Sequence, residues 1–387
     1  MMEMDRREFL RGAAVAPAAA QEWWSQQGRE AKRRLLLVGT QTVTGTSKGI
    51  YAWHWDPQNG ELRLAGLATE SDNPTFLALA PGAKYLYAAN ELSDFEAQKS
   101  GAVSAFGVDV ASAKLMPINQ VSALGAGTCN VTVDHTGQCA FCANYNGGSA
   151  SSFYLSPNGQ ISDAVSHFQY HGHGPNPQRQ ETPHAHRVTV SPDNRYLLVN
   201  DLGLDCIHIY HLDPASAKLT PGNPAKWNAA PGSGPRALRF HPNRRIAYCV
   251  CEMASTVDVL DWDARHGTFR QVQSISLIPA DYHGPTRGCD IVLDHAGDFA
   301  YAANRDYNCL VSFAVGRKDG ELTMLARSSC GGKIPRHLAL DPTEKWLLVA
   351  NEESDTIAVF ARNEQTGRLA ESGKTFPQSK PQCLVFA

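Results

Sequence analysis

Apolar and polar residues alternate along most of this chain in runs too short for amphipathic helices and too regular for loops. One phrase recurs: an apolar run, a turn built on Asp, Pro or Gly, then a second apolar run closing on Asn and a polar residue. It reads "TFLALAPGAKYLYAANELSD", "NVTVDHTGQCAFCANYNGG", "HRVTVSPDNRYLLVNDLGLD", "ALRFHPNRRIAYCVCEMAST", "DIVLDHAGDFAYAANRDYN" and "HLALDPTEKWLLVANEESD". Period-two alternation bounded by turn residues predicts strands throughout, with almost no helix. The second runs close at Asn90, Asn144, Asn200, Cys251, Asn304 and Asn351. Their spacing of roughly 50 residues is the length of a four-stranded propeller blade with generous loops.

A further hairpin follows the copies, as in "VSAFGVDVASAKL" and "TIAVFARNEQTGRL". A seventh unit is divided between the ends of the chain: "KPQCLVFA" reads as a first strand, and "RRLLLVGTQT" with "KGIYAWHWDPQNGELRLAG" as its partners. The pattern predicts an all-β fold, a seven-bladed β-propeller occupying residues 31–387 as a single domain, its ring closed by a blade shared between N- and C-terminal strands. Composition agrees, since 387 residues with 43% hydrophobic and 19% charged side chains can bury a sizeable core. A net charge of -3 gives no electrostatic reason to bind nucleic acid or an acidic membrane. A small molecule is the expected partner, and a closed ring without an open inner edge suits a monomer.

The first residues have a different character. Arg6-Arg7, then Phe9-Leu10, then the short apolar run Gly12 to Ala20 have the pattern of a twin-arginine export signal. Residues 1–30 are therefore read as that signal and a disordered arm. The mature protein is expected to be periplasmic or secreted, or cytoplasmic if the signal does not function, and without membrane association once the signal is removed. The ten cysteines show no paired CxxC spacing of the zinc type, and Cys249 and Cys251 alternate on one strand face. Buried free thiols are the expectation. Four histidines, His171, His173, His184 and His186, fall within 16 residues. The first pair lies in a Gly- and Pro-rich stretch that reads as a solvent loop, so neither a metal nor a cofactor is expected.

Candidate chemistry comes from aligning the copies on their turns. The position opening the first strand is Thr75, Cys129, His186, Arg236, Cys289, Arg336 and Gln382. The position following the second strand is Thr40, Glu91, Tyr145, Asp201, Glu252, Arg305 and Glu352. In a propeller both rings converge on one mouth of the central channel. A repeat needs only small or apolar residues there, yet this mouth collects three arginines, a histidine and four carboxylates. Such a cluster is either an ion-pair lattice or an anion pocket in which guanidinium forks meet carboxylate or phosphate oxygens. Glycines 203, 232 and 234 would let backbone approach it closely.

The runs "NPQRQETPHAHRVTVSPDNRYLLVNDLGLD", "GSGPRALRFHPNRRIAYCVCEMASTV", "AANRDYNCLVSF" and "GGKIPRHLALDPTEKWLLVANEESD" resemble the propeller-type 6-phosphogluconolactonase family, which is similar to fungal carboxymuconate-lactonizing enzymes. The resemblance covers the chain beyond the export segment. It implies a lactonase that opens a sugar lactone of the 6-phosphogluconolactone type, with catalytic positions on His186, Arg236, Glu252 and Arg305. His184, Asp201, Arg336, Glu91 and Asp290 are expected to contact substrate. Three positions depart from the family's usual residues: Ala237, Cys251 before Glu252, and Asp290, where a longer acid is usual. In the mechanism expected from these residues, Glu252 or neutral His186 orients water, Arg236 receives the oxyanion, and Arg305 with Arg336 holds a distal anionic group. A carboxymuconate-type cycloisomerase and a non-catalytic binding platform are the alternatives.

Overall fold

A computed structural model describes residues 34–387; the export segment read from the sequence lies outside the described residues. Seven four-stranded antiparallel sheets form the seven blades, and no helix occurs among the described residues. The blade shared by the chain ends runs Pro381–Phe386, Leu35–Thr40, Gly49–Asp56, Glu61–Glu70 from inside to outside, as the divided seventh repeat predicts. The other innermost strands are Pro74–Leu79, Thr128–Val133, Ala185–Val190, Pro235–Phe240, Gly288–Leu293 and Pro335–Leu340.

Burial follows strand order. Second strands such as Tyr196–Asp201 and Cys139–Asn144 are buried at every residue, whereas outermost strands such as Lys114–Ser122 alternate with solvent. The core is therefore not one cluster but seven, each filling the wedge between two neighbouring blades. One joins Tyr248 and Val259 to Ile291 and Phe313, and another seals the ring by joining Leu36 and Trp55 to Leu348 and Val359. Each wedge buries its own apolar faces, so stability spreads around the ring blade by blade.

The turn between first and second strands has a common physical basis. Its fourth residue, Ala83, Gly137, Asn194, Arg244, Gly297 or Glu344, takes a positive φ, which closes a short hairpin. In three blades the preceding aspartate caps the turn. Asp134 accepts from the backbone N–H groups of Gln138 (2.8 Å) and Cys139 (2.9 Å), Asp294 from Phe299 (3.0 Å) and Asp341 from Trp346 (3.0 Å). This is the recurring "D-x-x-x" of the sequence, made necessary by buried amides that need an acceptor.

All ten cysteines are free and nine are buried. Cys249 and Cys251 pack in one cluster with Leu198 and Leu260, as their alternation predicts.

Candidate active site

The strand pairing explains how a repeat made for packing presents chemistry. In every blade the register between first and second strands slips at the first turn of the ladder. Ala185 opposes Asp201 and Arg187 opposes Asn200, leaving His186 as an extra residue. The same slip leaves Arg236, Arg336, Thr75, Cys129 and Gln382 unpaired, and in the sixth blade it spans Cys289 and Asp290. A β-bulge re-aims the inserted side chain away from the pleat. Six of these seven positions line a cavity of about 230 Å³ at the channel mouth, Cys289 being the exception.

Six arginines and two glutamates line that cavity: Arg179, Arg187, Arg236, Arg287, Arg305 and Arg336, with Glu91 and Glu252. Glu252 lies at its centre and is almost fully buried. Its Oε1 accepts from Arg179 Nη2 at 2.7 Å, and its Oε2 lies 3.1 Å from Arg236 Nε and against Arg305 Nη2. Burial alone would raise the Glu252 pKa, but Arg305 and Arg236 outweigh it and hold the carboxyl well below the usual range. The Arg236 contact with Oε2 is Coulombic rather than directed. Arg236 Nε and Arg305 Nε are buried donors whose N–H groups meet no well-directed acceptor among the described residues, while Arg305 Nη2 lies against Oε2. Arg236 Nη1 donates to the Cys289 carbonyl, which fixes the guanidinium plane.

His186 stands edge-on to Tyr145, ring centroids 5.4 Å apart, with Nδ1 3.9 Å from Cys129 Sγ. Burial, together with Arg236, drives its pKa well below the ordinary imidazole range despite the opposing pull of Glu252, so it is neutral at pH 7. Arg336 anchors its Nε on Gln382 Oε1 at 2.8 Å and lies 3.6 Å from Glu352. Glu91 accepts from Thr75 Oγ1 at 2.7 Å on the same wall.

Three of the expected substrate contacts lie behind the cavity wall instead. His184 stacks on Tyr145 at 4.4 Å and turns its Nδ1 to the Tyr145 carbonyl. Asp201 accepts from the His184 and Leu204 backbone amides at 2.9 and 3.0 Å. Asp290 pairs with Arg187 Nη2 at 3.1 Å and accepts from Leu338 N. These contacts tie blades together and brace the wall. Gly232 and Gly234 likewise serve structure: their amides cap Asp205 at 2.6 and 2.8 Å.

Arg179, Arg187 and Arg287 belong to the site but were not singled out from the sequence. Arg179 comes from the long loop before the fourth blade. Arg287 sits in the connector before the sixth, its guanidinium forked onto Asp306 at 2.8 and 2.6 Å. Neither occupies a repeat position. The available signal was a lone arginine in each of "NPQRQ" and "GPTRG", close to the two rings.

Known proteins resemble this chain over most of its length. The family described as lactonase, 7-bladed beta-propeller, matches residues 35–386. A 6-phosphogluconolactonase of Bacillus subtilis (strain 168) is 34% identical over 349 residues, covering 90% of this chain and 97% of that protein. A 6-phosphogluconolactonase of Formosa agariphila is 30% identical over 90% of this chain and 96% of its own. The solved structure of a Pseudomonas aeruginosa periplasmic gluconolactonase is similar with a TM-score of 0.87 and 32% identity, over 91% of this chain and 98% of that one. The chain belongs to the lactonase family of seven-bladed β-propellers.

Proposed function

We propose that this protein hydrolyses a sugar lactone of the 6-phosphogluconolactone type to the open-chain acid. The observation that carries the proposal is the set of orphaned, buried N–H donors on Arg236 and Arg305, grouped beside one ionised carboxylate in a cavity of about 230 Å³. Buried donors without acceptors are costly unless a ligand oxygen completes them. A tetrahedral oxyanion, formed as water adds to the lactone carbonyl, supplies such an oxygen. The cavity lies a little below the usual range of about 300–1,000 Å³ for ligand pockets and suits one sugar ring.

His186 takes the proton of the attacking water, because it is neutral and partly open to the cavity. Glu252 is less suited to that step because three arginines occupy its two oxygens. Its role is to hold Arg236 and Arg305 in register. Collapse of the intermediate breaks the bond between carbonyl carbon and ring oxygen. That oxygen receives the proton from His186, and the product is a hydroxy acid whose carboxyl proton passes to solvent. Arg336 holds the distal, anionic or hydroxylated end of the substrate. The enzyme needs no cofactor in this scheme and acts as a monomer.

The twin-arginine pattern supports export to the periplasm, where an unphosphorylated aldonolactone is the more accessible substrate. The named relatives give no support to the muconate-type alternative. The test is hydrolysis of glucono-δ-lactone and of its 6-phosphate by the mature protein, followed by acid release above the uncatalysed rate. Turnover of neither, with absorbance loss from a carboxymuconate, would refute the proposal.

A further inference from the structure

Below the cavity the innermost strands continue down the channel, and two further rings can be read from their register. The upper ring is Phe76, Asn130, Arg187, Ala237, Asp290, His337 and Cys383, each but Asp290, which falls within its blade's register slip, opposite the fifth residue of its second strand, as Arg187 opposes Asn200 and Ala237 opposes Val250. The lower ring is Ala78, Thr132, Thr189, Arg239, Val292, Ala339 and Val385, each opposite the third, as Arg239 opposes Tyr248. Arg239 is the lower ring's only charged residue. It lies three residues beyond Arg236, about 10 Å along the strand from the reacting groups.

The charges in these rings do not balance. Asp290, in the sixth blade, is committed to Arg187, which reaches it from the fourth blade past the fifth, the blade that carries Arg239. The other Asp290 oxygen accepts from Leu338 N at 3.2 Å and lies 3.7 Å from His337 Nε2. His337 Nδ1 accepts from Leu384 N, so its ring proton sits on Nε2 and the imidazole is neutral. Arg239 forms no ion pair among the described residues, and its Nε is buried without an acceptor. Two guanidinium groups thus face one carboxylate. Burial first, and Arg239 among the neighbouring charges, depress the Arg187 pKa. Arg239 is half-buried, and its Nε is left without an acceptor, so part of its charge is uncompensated.

We propose that the channel binds one small monovalent anion of halide size, held by Arg239 and Arg187, with the Thr132 hydroxyl as a further donor. The excess of one positive charge selects a monoanion over phosphate or sulfate. The small and apolar neighbours Ala78, Val292, Ala339 and Val385 offer no donors for a larger oxyanion. The site lies below the catalytic cavity, shares Arg187 with its lining, and does not depend on which lactone is cleaved.

Two measurements test it. Wild-type protein melted in increasing sodium bromide, at ionic strength held constant with a bulky sulfonate salt, should gain a few degrees in midpoint, as specific anion binding requires. Arg239→Met should show no bromide dependence and should melt no lower than the wild type without bromide. Crystals of wild-type protein soaked in bromide should show an anomalous peak within hydrogen-bond reach of Arg239. An equal gain in Arg239→Met, or a bromide-soaked crystal without that peak, would overturn the assignment. The crystal experiment decides the matter even if the variant fails to fold.

Discussion

Replacing Glu252 with Gln tests whether one carboxylate organises the whole cavity. The substitution keeps the shape and one acceptor oxygen, removes the charge, and turns an amide N–H₂ toward guanidinium groups that are themselves donors. Arg236 and Arg305, each with 5% side-chain exposure, lose their counter-charge without access to water. Arg179, at 36%, recovers much of its hydration and contributes little to the loss. Removing one partner of a buried ion pair costs about 3–5 kcal/mol. An unfolding entropy near 2.1 cal/mol/K per residue over residues 34–387 is roughly 0.7 kcal/mol/K, so the melting midpoint should fall by about 4–7 °C. The pH dependence gives a second signature. A carboxyl whose folded pKa lies below its unfolded value stabilises fully above about pH 4.5, and that stabilisation is lost as pH falls toward the folded pKa. The midpoint gap between wild type and variant should be constant from pH 5 to 8 and narrow below pH 4.5. Lactonase activity should fall by roughly 10²–10³-fold, the cost of losing an oxyanion donor, because Arg236 and Arg305 are no longer held in place. Scanning calorimetry across pH and a pH-stat assay measure both effects. A midpoint change under 1 °C with activity within threefold of wild type would show that the arginines do not depend on Glu252.

His186, if it is the base, should give an activity profile whose acid limb lies well below pH 6.5, with kcat/KM level from about pH 6 to 8. Because burial first, and Arg236 next, keep it neutral, the unfolded chain takes up a proton near pH 6.5 that the folded chain refuses. His186→Gln should therefore abolish turnover yet flatten the stability decline below pH 6.5, measured by urea titration at several pH values. Arg336→Gln should raise KM by about 10-fold or more and change kcat little, the pattern of lost uniform binding, in steady-state assays on the preferred lactone. Burial pushes the thiols of Cys139, Cys142, Cys309 and Cys383 up to about 12. A chromogenic thiol reagent at pH 8 should find at most one accessible cysteine in the native protein, Cys129 in the cavity, and all ten after guanidinium unfolding.

The fold was legible because its determinants are local and repeated: alternation sets the strand faces, and capped turns set the hairpins. The site was legible to the level of rings, since repeats that align in sequence share a height along the channel axis. Direction was harder to read. Asp201 and Glu252 occupy the same ring position, yet the shorter Asp201 side chain is taken by the amides of His184 and Leu204, while Glu252 reaches the arginines. Asp290 shows the same effect, caught one layer down by Arg187. Residues outside the repeat register, Arg179 and Arg287, carry no signal of this kind, because a loop's path depends on what it packs against.

The register slip connects these findings. An unbulged innermost strand would alternate strictly, sending every second side chain into the wedge between blades, where charge is costly. Inserting one residue at the channel mouth places His186, Arg236 and Arg336 outside that alternation, so they can differ between blades while Val188, Leu238 and Leu338 below them remain core. The seven blades can then keep one packing pattern and vary one position each. That separation accounts for a mouth in which no two neighbouring bulges carry the same chemistry, Thr75 beside Cys129, His186 beside Arg236 and Arg336 beside Gln382, over a shared framework. It also explains why repeat alignment located the chemistry: the position freed from packing is the one where the copies disagree.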